Sequence, residues 1–259
     1  MPHIDKHTPG TFCWVELATT DQAAAKSFYG SLFGWSVVDE PMGPGEFYTM
    51  FRLDSRDAAA GYTMRKAELE QGAPPHWNLY IAVENADESA ARAAELGATI
   101  PAGVFDVGTN GRMAIIIDPT GATVALWQPN KTPGLGVMGD NNTYCWADLS
   151  TADRTVAKHF YENMFGWSIV PGKDKPESTY LHIGLGEKFF AGILPESHRN
   201  PNMPSHWMPY FKVADADATA AKAKELGGAV LAPPMTVDKS LRIAVLADPQ
   251  GAVFALFQA

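Results

Sequence analysis

Two cysteines stand in 259 residues, Cys13 and Cys145. They fall at matching places of an internal repeat, one in each half, so no disulfide framework organises the chain. Two lone thiols fit a reducing compartment. Positive charge is also short: 20 Lys and Arg face 29 Asp and Glu, a net of −9. Duplex nucleic acid and anionic membrane surfaces both select a basic footprint, so the expectation is no nucleic acid and no membrane as partner. No apolar run approaches membrane-spanning length and no signal peptide opens the chain, which makes the expected location cytoplasmic. With 46% hydrophobic and 19% charged residues, the chain has the balance of a soluble globular protein.

The chain does hold a duplication. TFCWVELATTDQAAAKSFYGSLFGW, Thr11 to Trp35, returns as TYCWADLSTADRTVAKHFYENMFGW, Thr143 to Trp167, with 13 identities at an offset of 132. PHWNLYIAV from Pro75 returns as SHWMPYFKV from Ser205, and DPTGATVALWQ from Asp118 as DPQGAVFALFQ from Asp248, both at an offset of 130. Nearly everything from Thr11 to Gln258 therefore belongs to one of two copies.

Each copy reads as two βαβββ modules. Residues 12–18 alternate, with Cys13, Val15 and Leu17 on one face and Trp14, Glu16 and Ala18 on the other. Thr20 and Asp21 can cap the next helix, and Gly34 stops it before Trp35 starts a strand. VDEPMGPGEF reads as a turn-rich hairpin region, with strands at 47–53 and 58–64 and a connector at 66–75. The second module runs from a strand at 76–83 through a helix over 87–96 to three more strands, the last two joined by the DPTG turn at 118–121. The domains are expected at 8–129 and 142–259, joined by a flexible Gly- and Pro-rich linker at 130–141. That linker region spells G-x-G-x-x-G at Gly134, Gly136 and Gly139. A dinucleotide fingerprint needs a helix directly after it, and the strand TYCWADL follows instead. The opening MPHIDKHTPG is polar and is expected to be loose.

Four βαβββ modules in two pairs, with FYxxxFGW helix ends and DPxG turns, resemble the vicinal oxygen chelate superfamily. That superfamily includes glyoxalase I, the bleomycin-resistance proteins and the extradiol dioxygenases. The tandem glyoxalase-like proteins of actinobacteria are the most similar in layout. The resemblance implies an α+β fold: two tandem domains, each of two paired βαβββ modules forming a curled mixed sheet around a cavity. Metal-dependent members draw two ligands from each module, one on the first strand and one on the last, usually His and Glu. The resemblance places the first-strand slots at Trp14, Asn78, Trp146 and Met208, and the slots after DPxG at Ala125 and Ala255. The remaining slots lie in AAAGYTM and FFAGILP, which hold no His, Asp, Glu or Cys. Indole, alanine and thioether groups do not make a hard divalent-metal site, so no metal site and no cofactor are expected.

Strand alternation names the side chains that share a face with those slots. In the first copy they are Trp14, Glu16, His76, Asn78, Tyr80 and Trp127. In the second they are Trp146, Asp148, His206, Met208, Tyr210 and Phe257, and Tyr48 and Tyr180 match between the middle strands. Any one of these rings alone reads as core packing. Together they lie opposite the apolar face of Leu79, Ile81, Val83, Phe211 and Val213, and so read as a ligand-binding pocket for a small aromatic molecule. Glu16 with His76, and Asp148 with His206, keep their chemical type between copies. They are the candidate catalytic residues if the protein is an enzyme, acting as acid and base or holding a divalent metal two residues from the family's slots. They are otherwise a carboxylate bonded to backbone or Arg, and a His at a strand start. His159 and His182 have no counterpart in the first copy and read as surface or core residues. Arg112 and Arg242 match and read as surface ion pairs.

The expectation is thus a metal-free binding protein of the bleomycin-resistance kind, a monomer as pseudo-dimer or a homodimer. The alternatives are a glyoxalase-like lyase, isomerase or hydroxylase, and an interaction protein that has kept the fold and lost the pocket.

Overall fold

A computed structural model describes residues 3–70, 72–172, 178–238 and 241–259. The first half contains β1 (Phe12–Thr19), α1 (Gln22–Phe33), β2 (Ser36–Gly43), β3 (Glu46–Leu53), β4 (Arg56–Thr63), α2 (Lys66–Glu70), β5 (His76–Ala82), α3 (Ala86–Glu95), β6 (Val104–Val107), β7 (Gly111–Ile117) and β8 (Thr123–Pro129). The second contains β9 (Thr143–Ser150), α4 (Arg154–Phe165), β10 (Ser168–Pro171), β11 (Leu181–Leu185), β12 (Lys188–Ile193), a 3-10 turn at Glu196–His198, β13 (His206–Lys212), α5 (Ala216–Glu225), β14 (Ala229–Asp238), β15 (Leu241–Ala247) and β16 (Val253–Gln258). Among the described residues, no helix is long and apolar enough to cross a membrane.

The strands make two eight-stranded mixed sheets, ordered β2-β3-β4-β1-β5-β8-β7-β6 and β10-β11-β12-β9-β13-β16-β15-β14. Two four-stranded modules join edge to edge through the antiparallel pairs β1/β5 and β9/β13, as the paired βαβββ reading requires. Local chemistry starts and stops the helices. The Asp21 carboxylate accepts the backbone N–H of Ala24 at the start of α1, and Gly34 closes it at φ 74. Asp153 and Gly166 do the same for α4.

The helix-bearing faces of the two sheets pack on each other, and the repeat motifs themselves form the join. Tyr29 of α1 donates its hydroxyl to Asp248 of the second DPxG turn at 3.0 Å while accepting from the Trp77 indole at 3.2 Å. Tyr161 of α4 reciprocates, donating to Asp118 at 2.9 Å and accepting from Trp207 at 2.8 Å. Each aspartate uses its other oxygen to hold its own turn. Aromatic rings fill the space around these bonds, including Phe33 against Phe211 at 5.2 Å and Phe28 against Phe254 at 6.4 Å between centroids.

Four local expectations are corrected. The connector at 66–75 contains the short helix α2. The turn-rich stretch after Val38 continues β2 to Gly43, with the chain reversing only at Pro44 and Gly45. The linker is no free tether, because Leu135 and Val137 are fully buried and Leu135 and Gly136 donate N–H bonds to Cys13 and Asp57. Gly134, at φ 131, lies against the Cys13 carbonyl where any Cβ would collide with it. The N-terminal segment is also packed: Ile4 donates to the Gly136 carbonyl, buried His7 bonds Leu135, and the Trp167 indole of the other half donates to the Gly10 carbonyl.

Candidate functional site

The first strand of each half carries one buried carboxylate to the face opposite the helices. Glu16 is 8% exposed and Asp148 3%. Burying an ionised carboxyl without partners is very unfavourable, and here tyrosines supply the partners. Tyr48 of β3 donates to Glu16 Oε1 and Tyr80 of β5 to Oε2, both at 2.7 Å. The Trp14 indole donates to the Tyr48 hydroxyl at 3.0 Å. In the second half, Tyr180, just ahead of β11, donates to Asp148 Oδ1 at 2.6 Å and Tyr210 of β13 to Oδ2 at 2.7 Å. Trp146 reaches both Tyr180 at 2.9 Å and Asp148 at 3.1 Å. Each half thus builds the same unit of one carboxylate, two phenols and one indole.

The shorter carboxylate is matched by a second change. Glu16 lies opposite Ala60 in the β1/β4 register, and Asp148 lies opposite Gly192 in β9/β12. A Cβ at Gly192 would fall on the Tyr180 hydroxyl. Loss of a methylene from the acid and of a methyl from the neighbouring strand therefore go together, and Tyr180 descends into the room that results.

Burial is the largest influence on both acids and raises Glu16 and Asp148 above the ordinary carboxylate range, while their tyrosine partners pull the other way. Burial and the adjacent carboxylate push Tyr48, Tyr80, Tyr180 and Tyr210 well above the usual phenol value, so all four hydroxyls stay protonated donors.

The other sequence candidates fall around these units. Asn78 and Met208 lie opposite Glu16 and Asp148 in register. Trp127 turns its ring edge toward Tyr80, 6.5 Å away, and spends its indole N–H on the Thr132 carbonyl. Phe257 packs on a small apolar cluster of Met208, Tyr210 and Ala255. His76 and His206 are not bonded to the acids: their Nδ1 atoms meet the Pro74 and Pro204 carbonyls at 2.7 and 2.9 Å. Arg112 pairs with Asp87 and Asp106, and Arg242 with Asp217, at the surface.

Sequence reasoning missed three neighbours. Tyr62 lies near Glu16 and donates to Glu68 at 2.7 Å, fastening α2 beside the first unit. His182 lies beside the second, its ring 5.0 Å from Tyr180. Cys145 packs on the Met208 cluster because the β9 register slips there, and burial pushes its thiol up to about 12. Period-two spacing from Tyr180 was the available signal for His182. Two surface clefts, of about 210 Å³ beside Arg112 and about 310 Å³ between Glu84 and Phe165, are lined by no member of either unit.

Comparison with known proteins gives matches in both halves. Residues 11–126 match the Glyoxalase/Bleomycin resistance protein/Dioxygenase superfamily, and residues 146–257 match a glyoxalase-like domain. The chain is 40% identical over 259 residues to "Putative glyoxylase CFP32" of Mycobacterium tuberculosis, covering 100% of this chain and 98% of that one. It is 32% identical over 268 residues to "Anthracycline biosynthesis protein DnrV" of Streptomyces peucetius, covering 98% and 95%. Among solved structures it is similar to a Mn(II)-bound glyoxalase from Novosphingobium aromaticivorans (TM-score 0.67, 13% identity, covering 96% of this chain and 82% of that one). It is also similar to an extradiol ring-cleaving dioxygenase from B. fuscum (TM-score 0.67, 14% identity, covering 100% and 75%). At these identities the structures share the fold alone.

The Mn(II)-bound neighbour raises the question of a metal here, and the donor chemistry does not fit one. The slots expected to carry ligands hold Trp14, Asn78 and Ala125, and Trp146, Met208 and Ala255. All four oxygens of Glu16 and Asp148 already accept tyrosine hydroxyls. Among the described residues, no three His, Cys, Asp or Glu side chains gather as a ligand set.

Proposed function

The chain belongs to the glyoxalase/bleomycin resistance protein/dioxygenase superfamily, and from that premise we propose that each half binds a small planar aromatic molecule on its carboxylate–tyrosine–tryptophan face, without a metal ion. The observation that carries this reading is the replacement of metal ligands by a closed set of hydrogen bonds that fixes three rings in each half. Tyr48 and Tyr80, and Trp146, Tyr180 and Tyr210, cannot turn without breaking a bond to Glu16 or Asp148, and Trp14 cannot turn without breaking its bond to the Tyr48 hydroxyl. Rings held in place lose little freedom when a flat ligand stacks on them, which favours binding. The relative named for anthracycline biosynthesis supports a fused-ring ligand. The two halves act as a pseudo-dimer within one chain.

Fluorescence titration with anthraquinone-2-sulfonate tests this. Saturable quenching at two ligands per chain is expected, with Trp14→Phe and Trp146→Phe each removing one. Absence of saturable quenching in the unaltered protein would sink the reading.

The burial of Glu16 supports a second reading, proton transfer. A carboxylate made more basic by desolvation can take a proton from a bound weak carbon acid and return it to the same carbon. Deuterium uptake from D2O into an α-hydroxyketone, catalysed by the unaltered protein and lost in Glu16→Gln, would establish that activity. Uptake no faster than in buffer would remove it.

A further inference from the structure

The two faces differ at one position that bears on what each accepts. Tyr180 and His182 are two residues apart in an extended segment, so both side chains leave the sheet on the same side, where Tyr180 meets Asp148. The His182 ring stands edge-on to Trp146 at 6.2 Å and to Tyr180 at 5.0 Å, with Phe189 at 5.3 Å. The same position of β3, two residues beyond Tyr48, is Met50. One face therefore carries an imidazole beside its carboxylate and the other a thioether.

Among the described residues, no hydrogen bond is made to this imidazole. Its Nδ1 is buried without a hydrogen-bond partner among the described residues. The ring edge bearing it passes under Gly172, whose lack of a side chain leaves it room. The neighbouring polar groups are already committed: Tyr180 and Tyr210 donate to Asp148, and Trp146 donates to Tyr180 and Asp148. Burial lowers the His182 pKa more than the nearby Asp148 charge raises it, which favours the neutral ring. In the tautomer with the proton on the buried Nδ1, the lone pair that can accept a ligand's proton is on Nε2. A polar ring idle in an otherwise fully bonded cluster is unfavourable unless a ligand engages it.

Building on the aromatic-binding reading, we propose that the second face takes a hydroxyl-bearing aromatic of the phenol type, with the His182 imidazole accepting the hydroxyl hydrogen bond. The first face, with Met50 in that place, lacks this imidazole acceptor and shows the weaker preference for a hydroxyl.

The test is calorimetric titration of the full chain with 1-naphthol and with 1-methoxynaphthalene, which has the same rings and no donor. Trp14→Phe isolates the second face and Trp146→Phe the first. In Trp14→Phe, naphthol is expected to bind about 5–10-fold more tightly than the ether, the worth of one net hydrogen bond. Adding His182→Met should bring that ratio to about one, whereas His182→Gln, which keeps an acceptor, should retain part of it. Adding Met50→His to Trp146→Phe should create the preference on the first face. Near-ultraviolet circular dichroism checks that each variant is folded. A ratio unmoved by His182→Met, or equal on both faces of the unaltered pair, overturns this inference alone. Failure of both probes to bind either face overturns it together with the aromatic-binding reading.

Discussion

Glu16 and Asp148 occupy the same place in two copies of one module, yet they differ by a methylene. A bare Glu-to-Asp exchange would pull the acid out of reach of its tyrosines and leave buried hydroxyls unsatisfied. The second half avoids this with Gly192 in place of Ala60, which admits Tyr180 closer to the sheet, and with a Trp146 indole that reaches the acid as well as the phenol. What the duplication has kept is a set of bonded distances, 2.6 to 2.7 Å from phenol to carboxylate in both halves. The residues that meet those distances were free to change together.

That comparison can be broken most severely at Gly192. Gly192→Ala drives a methyl into the Tyr180 hydroxyl and is expected to cost about 2–3 kcal/mol by overpacking and loss of the bond to Asp148. Ala60→Gly in the first half should cost only about 0.5–1 kcal/mol of backbone entropy. Urea midpoints measure both. The double variant Gly192→Ala with Asp148→Glu rebuilds the first half's pair in the second, so part of the loss should return; a simple sum of two penalties would show that the residues are not coupled.

Glu16→Gln and Asp148→Asn come next. Each puts an amide N–H₂ where two phenols donate, and each is expected to cost about 1–2 kcal/mol. Equal losses would mean that the two units are interchangeable in stability despite their different geometry.

The pH dependence is gentler and has a definite sign. Burial raises both acids above their usual values of 4.5 for Glu16 and 3.8 for Asp148. The folded protein then holds these protons more tightly than the unfolded chain does. Their stabilisation is complete below the unfolded values and is lost as pH rises through the folded ones. Urea midpoints measured upward from pH 4 should fall and then level, and Glu16→Gln or Asp148→Asn should flatten part of that fall. A midpoint that rises over this window because of these residues would contradict the burial argument.

The smallest effect is expected at Tyr62, whose place in the strand register of the second half falls to Leu194. Tyr62→Leu removes the bond to Glu68 that fastens α2. The loss should be about 0.5–1 kcal/mol, with faster amide exchange confined to α2.

Much of this architecture was legible in the sequence because its signals are local and occur twice. Period-two alternation separates Trp14, Glu16 and Tyr80 from Leu79 and Ile81. The structure buries Leu79 and Ile81 in the core, and buries Trp14 and Tyr80 as well, on the side where Glu16 receives the Tyr80 hydroxyl. The caps at Asp21 and Gly34 marked α1. What escaped was non-local or unrepeated. Composition made 130–141 look like a tether, while the two apolar residues that anchor it, Leu135 and Val137, are too sparse to form a pattern. His76 faces the right way, but its ring is taken by the Pro74 carbonyl, a bond that no alternation rule foresees. His182 carries no repeat signal, because its place in the first half is Met50 and a comparison of copies gives weight only to what they share.

The crossed bonds between α1 and the second DPxG turn also matter during synthesis. Tyr29 and Asp248 are 219 residues apart, which at roughly 5–20 residues per second separates their appearance by about 10–40 s of translation. Through that interval the nascent first half displays Tyr29, Phe33 and Trp35 without Phe211 and Phe254, the rings that later cover them. A chain released at the linker would keep that aromatic surface permanently, so premature termination there yields an aggregation-prone product, not a small working protein.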